Sequence, residues 1–143
     1  MKKLGKVVVR MVFVALLGIW GEILGSQVIW ASAADFSLIK PEELKKLIDS
    51  KKTDFVVVDT QPKGVYDMGH IKGAISFPWD MELKNPGKLP KDKTLILYCD
   101  CAHEEDSIDA AKQLKNKWGY TNLKILEGGW SKWQQLGYPI DKK

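Results

Sequence analysis

Two cysteines separated by a single residue are the side chains in this 143-residue chain best suited to covalent chemistry. Cys99 and Cys101 are its only cysteines, and Asp100 alone lies between them. A disulfide between them would close a very small, strained ring and would crosslink no distant part of the fold. The pair is therefore predicted to be present for its reactivity. The plainer alternative is that one thiol is a small buried side chain at the end of a strand.

The sequence around the cysteines predicts an activated thiol. Leu95–Tyr98 has the continuous apolar pattern of a buried strand, and Ser107–Trp118 repeats apolar residues three and four positions apart, as an amphipathic helix does. A cysteine at the end of a strand, followed by a tight loop and a helix, faces backbone N–H groups and the helix N-terminus. That environment lowers the pKa of a thiol and binds an anionic group beside it.

Several side chains of the loop also have purely structural interpretations. Asp106 or Ser107 would serve only as the N-cap of the helix, and Glu104 and Glu105 would only interact favourably with its dipole. His103, if protonated, would favour a thiolate two residues away, but a solvated loop histidine fits the sequence equally well.

Strands and helices alternate along the chain after residue 40. Helices are predicted over Glu42–Ile48, Ser107–Trp118 and Trp130–Leu136, and strands over Phe55–Val58, Leu95–Tyr98 and Leu123–Leu126. This alternation predicts an α/β fold, a mostly parallel central sheet with helices on both faces. Ligands in such folds bind at the carboxyl ends of the strands, so the loops that begin at Asp59 and Cys99 are the candidate site.

Residues 36–140 resemble the single-domain rhodanese-like family through four motifs that occur in the family's order. The motifs are Val58-Asp59-Thr60-Gln61, the G-H-I-x-G-A segment within Tyr66–Ile75, Leu97-Tyr98-Cys99, and L-x-G-G-W-x-x-W-x-x-x-G-Y-P over Leu126–Pro139. The resemblance implies a rhodanese-like domain over residues 36–140 that acts as a sulfurtransferase. In this family a cysteine thiolate takes sulfane sulfur from a small donor such as thiosulfate, and the resulting persulfide passes it to a thiol or other nucleophilic acceptor. The resemblance implies no metal and no organic cofactor.

The resemblance also implies which residues form the site, but it leaves two positions for the nucleophile. Counting back the family's six positions from Ser107 gives Cys101, whereas the strand pattern ending at Tyr98 gives Cys99. We favour Cys101, because the start of the helix fixes the loop that must surround the sulfur; Cys99 would then be a neighbour able to attack a persulfide or close a disulfide. The implied substrate-binding loop is Ala102, His103, Glu104, Glu105, Asp106 and Ser107, with Asp59, Gln61 and His70 in supporting positions.

The chain departs from the family in its charges. Active members commonly carry a basic residue in or beside this loop, whereas here Gln61 replaces an arginine and Arg10 is the only arginine of the chain. Nearby carboxylates raise a thiol pKa and repel a dianionic donor. These departures favour, as an alternative, a non-catalytic or redox module, or a metal site formed by the C-x-C-x-H cluster. The loop carboxylates are those of Asp100, Glu104, Glu105 and Asp106.

The amino-terminal stretch concentrates the positive charge. Four of the 22 basic residues but one of the 18 acidic residues lie in the first 33 positions, which leaves 18 basic against 17 acidic residues and gives no support to nucleic-acid binding. The cationic start, the apolar run Met11–Trp20 and the Ala31-x-Ala33 pattern predict an export signal over residues 1–33. The alternative is an uncleaved membrane tether through residues 11–34. In a bacterial source, the domain would be periplasmic or extracellular.

Overall fold

The computed structural model describes residues 35–143, and the export signal or tether predicted nearer the amino terminus lies outside them. No helix within the described part is long and apolar enough to cross a membrane. In chain order the elements are β1 (Ser37–Ile39), α1 (Pro41–Asp49), β2 (Phe55–Asp59), α2 (Lys63–Met68), β3 (His70–Ile71), β4 (Ile75–Ser76), β5 (Thr94–Tyr98), α3 (Glu105–Trp118), β6 (Leu123–Leu126), α4 (Gly129–Gln135) and β7 (Ile140–Asp141).

Five of the strands form one parallel sheet. Their order is β1-β6-β5-β2-β4, which puts β5 at the centre between β6 and β2. The apolar runs of β2 and β5 suit strands that are covered on both faces. A separate antiparallel pair joins β3 to β7. The structure thus confirms the predicted α/β fold with a mostly parallel central sheet.

Helices cover both faces of this sheet. On one face α3 buries Ile108, Ala111 and Leu114 against apolar side chains of β2, β5 and β6. On the other face α1 and α4 bury Leu44, Trp130 and Trp133 against residues that include Ile96 and Tyr98. The layers hold the sheet rigidly, and the site stands on its carboxyl edge.

The carboxyl ends of β2 and β5 lie side by side, because Asp59 and Tyr98 are partners in the parallel register. Just past this pair, the backbone N–H and the Oγ1 of Thr60 each donate a hydrogen bond to the carbonyl oxygen of Tyr98, both at 2.9 Å. The two loops predicted to carry the site therefore leave the sheet from adjacent positions.

Helix α3 begins two residues earlier than the apolar periodicity predicts. Glu104 adopts a left-handed conformation, with φ +56°, and directs the chain into the helix at Glu105. Ser107 lies in the first turn, where its Oγ donates to the Glu104 carbonyl oxygen at 2.9 Å. The expectation that Asp106 or Ser107 is the N-cap is therefore wrong: Glu104 holds that position, without a side-chain cap.

Candidate active site

Cys99 is held by its backbone at the end of β5. Its carbonyl oxygen accepts a hydrogen bond from the Trp130 N–H at 2.9 Å, and Gly129 packs so closely that a Cβ there would lie 2.2 Å from the same oxygen. The residue is 1% exposed, and its Sγ lies 3.8 Å from the Ser107 Oγ. A thiol buried to this degree does not meet a dissolved substrate directly.

Cys101 is the more accessible of the two cysteines. It is half-buried, and its thiol interacts both with the Cys99 thiol and with the backbone N–H of Asp106. The loop therefore brings the two sulfur atoms together, and it presents Cys101 on the outer side of the pair.

The surroundings of Cys101 favour its neutral thiol in the resting structure. Burial raises the pKa of the Cys101 thiol well above its usual range, and the Cys99 thiol and the Asp106 carboxyl raise it further. The Asp106 N–H acts in the opposite direction. The expectation that the loop lowers the thiol pKa is thus wrong for this state, because one amide donor does not offset the loss of hydration.

Three of the four acidic side chains of the loop hold the loop in place. Their hydrogen bonds are Ser131 Oγ to Asp100 Oδ1 at 2.5 Å, Gly128 N to Glu104 Oε1 at 2.7 Å, and His103 N to Glu105 Oε2 at 3.1 Å. The first two bonds fasten the loop to α4 and to the turn before it. Asp106 is the acidic residue whose carboxyl interacts with the Cys101 sulfur.

His103 is associated with Glu105. The backbone N–H groups of Glu105 and His103, together with the charge of His103, lower the pKa of the Glu105 carboxyl. His103 and its neighbour Ala102 are exposed. Residues 35–143 contain no group of three or more His, Cys, Asp and Glu side chains arranged to hold a metal ion, so the described structure gives no support to a C-x-C-x-H metal site.

The supporting residues predicted at the end of β2 form a buried network beside the cysteines. Asp59 is fully buried and accepts hydrogen bonds from the Tyr98 hydroxyl at 2.5 Å, from the Gln61 N–H at 2.8 Å and from Gln61 Nε2 at 3.2 Å. Burial raises the pKa of the Asp59 carboxyl despite these bonds and the nearby charge of His70. The network fixes Tyr98, the residue that leads into Cys99.

His70 occupies a structural position in the segment that follows. Its Nδ1 lies 2.8 Å from the Tyr66 carbonyl oxygen, and its ring stacks on the Tyr66 ring with centroids 3.7 Å apart. The Tyr66 hydroxyl in turn donates to the Ala74 carbonyl oxygen at 2.8 Å. These contacts close the α2–β3 turn and involve neither cysteine.

Sequence reasoning missed the residues that hold the loop from a distance. Tyr98 was interpreted only as part of a strand, although a hydroxyl among aliphatic residues signals a buried polar partner. The Gly128-Gly129 pair signals a close approach of two backbones, which the structure places at Cys99. Nothing in the sequence around Ser131 indicates that its hydroxyl binds Asp100.

A cavity of about 480 Å³ lies next to the site, and neither cysteine lines it. It is bounded by Lys40, Pro41, Glu42, Glu127, Gly128 and Lys132. Gly128 belongs both to this cavity and to the turn that binds Glu104, so the cavity and the loop share one wall.

Comparison with known proteins places the chain in a family. Residues 40–136 match the family model described as a rhodanese-like domain. Adenylyltransferase and sulfurtransferase UBA4 of Meyerozyma guilliermondii is 32% identical over 89 residues, which cover 58% of this chain and 21% of that protein. "Probable adenylyltransferase/sulfurtransferase MoeZ" of Mycobacterium tuberculosis is 34% identical over 111 residues, 76% of this chain and 27% of that protein. The chain thus spans about a fifth to a quarter of the length of these relatives.

Solved structures share the fold. The BH2092 protein of Bacillus halodurans superposes with a TM-score of 0.66 at 25% identity, covering 76% of this chain and 79% of that chain. The rhodanese-like domain of the Alr3790 protein from Anabaena superposes with a TM-score of 0.63 at 24% identity, covering 74% and 79%.

Proposed function

Because the chain belongs to the rhodanese-like domain family, we propose that it is a sulfurtransferase in which Cys101 carries the transferred sulfur. The observation that supports the assignment to Cys101 is its position. Cys101 is half-buried at the carboxyl edge of the sheet, and its thiol interacts with a backbone N–H of the loop, whereas Cys99 is 1% exposed. Relatives named as sulfurtransferases support the class of reaction.

The proposed transfer has two displacements at sulfur. The Cys101 thiolate attacks the outer sulfur of a small donor such as thiosulfate, the S–S bond of the donor breaks, and sulfite leaves with the electron pair. An acceptor thiolate then attacks the outer sulfur of the Cys101 persulfide, and Cys101 leaves as a thiolate. The Asp106 N–H is placed to donate a hydrogen bond to the sulfur whenever it is negatively charged.

The carboxylates of the loop repel an anionic donor without excluding it. Asp100 and Glu104 each accept a hydrogen bond from a neutral donor, which holds these carboxylates in fixed positions on α4 and the turn before it. The Asp106 carboxyl remains beside the sulfur. Two unit charges about 6 Å apart repel by about 0.7 kcal/mol in water, which slows a donor anion without excluding it.

A second function, a redox or binding module that transfers no sulfur, is favoured by one specific observation. The pKa of the Cys101 thiol is raised by burial, and a neutral thiol is a poor nucleophile. The two functions differ in whether a donor leaves its sulfur on the protein.

Mass spectrometry of the intact full-length chain distinguishes the two functions. The reduced protein is mixed anaerobically with thiosulfate or with polysulfide, and a persulfide adds about 32 Da. We expect the adduct on the unchanged protein during the first minutes and on Cys99→Ser, but not on Cys101→Ser. If neither donor leaves an adduct on the unchanged protein or on Cys99→Ser, the sulfurtransferase proposal fails.

A further inference from the structure

Cys99 has a thiol that no dissolved acceptor reaches, yet this thiol lies near enough to Cys101 to interact with its sulfur. The backbone of Cys99 is fixed by Trp130 and Gly129, and the residue is 1% exposed. Its sulfur faces two groups of the loop, the Cys101 thiol and the Ser107 Oγ. Any chemistry of Cys99 is therefore directed at Cys101.

We propose that Cys99 attacks the Cys101 persulfide and releases hydrogen sulfide, leaving a Cys99–Cys101 disulfide. This activity rests on the proposed function, which supplies the persulfide. The Cys99 Sγ bonds to the Cys101 Sγ, and the bond between the Cys101 Sγ and the outer sulfur breaks. The outer sulfur leaves with the electron pair and gains the Cys99 proton. It is reduced by two electrons, and the two cysteines are oxidised by two.

The geometry directs this attack to the inner sulfur of the persulfide. The Cys101 Sγ is the atom that interacts with Cys99 in the resting loop, and Cys101 is the more accessible of the two cysteines. The outer sulfur of a persulfide on Cys101 therefore has room on the side away from Cys99. Attack on the outer sulfur would only move the persulfide to Cys99. The contact therefore favours release of sulfide over migration of sulfur.

Ser107 is a positioning residue for the attacking thiol. The Cys99 S–H donates towards the Ser107 Oγ at 3.8 Å, and that hydroxyl donates to the Glu104 carbonyl oxygen at 2.9 Å. Because the hydroxyl hydrogen is committed to Glu104, a lone pair of Oγ faces Cys99. This arrangement keeps the proton of Cys99 on the side away from Cys101.

The small ring formed by a disulfide between residues 99 and 101 also affects how easily the two thiols are regenerated. A disulfide across one intervening residue is strained, and strained disulfides are the easily reduced ones. Two equivalents of a low-molecular-weight thiol would restore both cysteines. The Cys99–Cys101 disulfide would then be a short-lived intermediate of the catalytic cycle. The cycle would consume a thiol reductant as its co-reactant.

The experiment follows the fate of a persulfide loaded in the absence of reductant. The full-length protein, Cys99→Ser and Cys101→Ser are each mixed anaerobically with one equivalent of polysulfide and desalted. Sulfide release and intact mass are then followed with time. We expect the unchanged protein to release one sulfide per persulfide formed and to end about 2 Da lighter than its reduced form. Cys99→Ser should keep its adduct of about 32 Da and release at least tenfold less sulfide.

The outcomes separate this proposal from the one on which it rests. A persulfide that persists in the unchanged protein as it does in Cys99→Ser overturns the release step alone. An adduct mapped to Cys99 overturns it as well, because sulfur would then have migrated. No adduct on Cys99→Ser and no sulfide from the unchanged protein overturn both proposals. Peptide mapping of the 99–101 disulfide in the unchanged protein tests the step without relying on the folding of a variant.

Ser107→Ala provides a readout that keeps both thiols. Loss of the hydroxyl removes the acceptor of the Cys99 S–H. We expect the rate of sulfide release, measured per persulfide loaded on each protein, to change by at least threefold in this variant. An unchanged release rate would remove Ser107 from the proposal.

Discussion

The sulfur of Cys101 lies between groups that act on it in opposite directions. Burial, the Cys99 thiol and the Asp106 carboxyl favour the neutral thiol, and the Asp106 N–H favours the thiolate. The resting site is thus protected from indiscriminate oxidation, since thiolates rather than thiols are oxidised.

The raised pKa predicts how the reactivity of Cys101 depends on pH. Below its pKa the thiolate fraction of a thiol rises about tenfold per pH unit. We therefore expect the rate of Cys101 alkylation by iodoacetamide, measured by intact mass, to rise about tenfold per unit from about pH 7 to pH 10, whereas a thiol with the ordinary value of 9.0 levels off above pH 9. A plateau within this range would show that the thiol pKa is not raised.

Asp106→Asn tests one cause of that dependence. The substitution removes the carboxylate and keeps the backbone N–H, so the pKa of Cys101 should fall and alkylation at neutral pH should accelerate about threefold, the equivalent of about 0.7 kcal/mol. Asp109→Asn, an exposed residue one turn further along α3, is the matched control for the loss of one helix charge. Equal effects of the two substitutions would assign the change to net charge rather than to contact.

The turn between β6 and α4 determines the conformation of the cysteine loop. The Gly128 N–H of this turn donates to the Glu104 carboxylate. In the first turn of α4, the Trp130 N–H donates to the Cys99 carbonyl oxygen, and Gly129 packs closely against that oxygen. These contacts join residues that lie 24 to 31 positions apart in the chain. A disturbance of the turn should therefore be transmitted directly to the sulfur pair.

Gly129→Ala is expected to destabilise the protein and to displace Cys99. Gly129 has φ +49°, and the added Cβ would meet the Cys99 carbonyl oxygen at 2.2 Å. A left-handed alanine costs about 1 to 2 kcal/mol, and relieving the clash adds about 1 to 3 kcal/mol, so we expect a loss of about 2 to 5 kcal/mol in urea unfolding. The control is Gly137→Ala, where φ is +66° with nothing within 4 Å, and about 1 to 2 kcal/mol is expected. Equal losses would mean that the turn adapts and that Gly129 is needed only for its φ.

The helices and strands that were predicted from the sequence are those long enough to show a regular spacing of apolar residues. Apolar runs of four residues and the stripe of α3 predicted three strands and three helices, and the motif order predicted which loop carries the cysteines. The strands His70–Ile71 and Ile140–Asp141 are too short to show alternation, and they form only because distant parts of the chain pair. The start of α3 was misplaced because Glu104 is a non-glycine residue in a left-handed conformation.

The arrangement of the cysteine loop could not be predicted from the sequence. Spacing alone left Cys99 and Cys101 open as nucleophiles, since which sulfur is buried depends on Gly129 and Trp130, far along the chain. The carboxylates were expected to face the sulfur, but partners on α4 and the turn before it redirect two of them. Such contacts follow from tertiary packing, which no local pattern encodes.

The network around Asp59 joins three strands across the middle of the protein. The Tyr98 hydroxyl donates to Asp59 at the end of β2 and accepts from the Ile71 N–H of β3 at 3.0 Å. It links the central sheet to the small β3–β7 pair, whose Ile71 also packs in the hydrophobic cluster that contains Trp130. The protonation state of one buried carboxyl should therefore influence the stability of the entire domain.

Asp59→Asn tests this influence through the pH dependence of unfolding. Burial raises the folded-state pKa of Asp59 above its ordinary value of 3.8, so the native state binds the proton more tightly than the unfolded chain does. The resulting stabilisation is full below the unfolded pKa and is lost as pH rises through the folded pKa. Asparagine does not titrate, and the other carboxyls contribute alike to both proteins. In urea unfolding from about pH 3.5 to pH 7, the stability of the unchanged protein relative to Asp59→Asn should therefore fall as pH rises and then level off. Equal m values would show that the same two states are compared. A relative stability that increases with pH would mean that the hydrogen bonds from Tyr98 and Gln61 outweigh desolvation and hold Asp59 as a carboxylate.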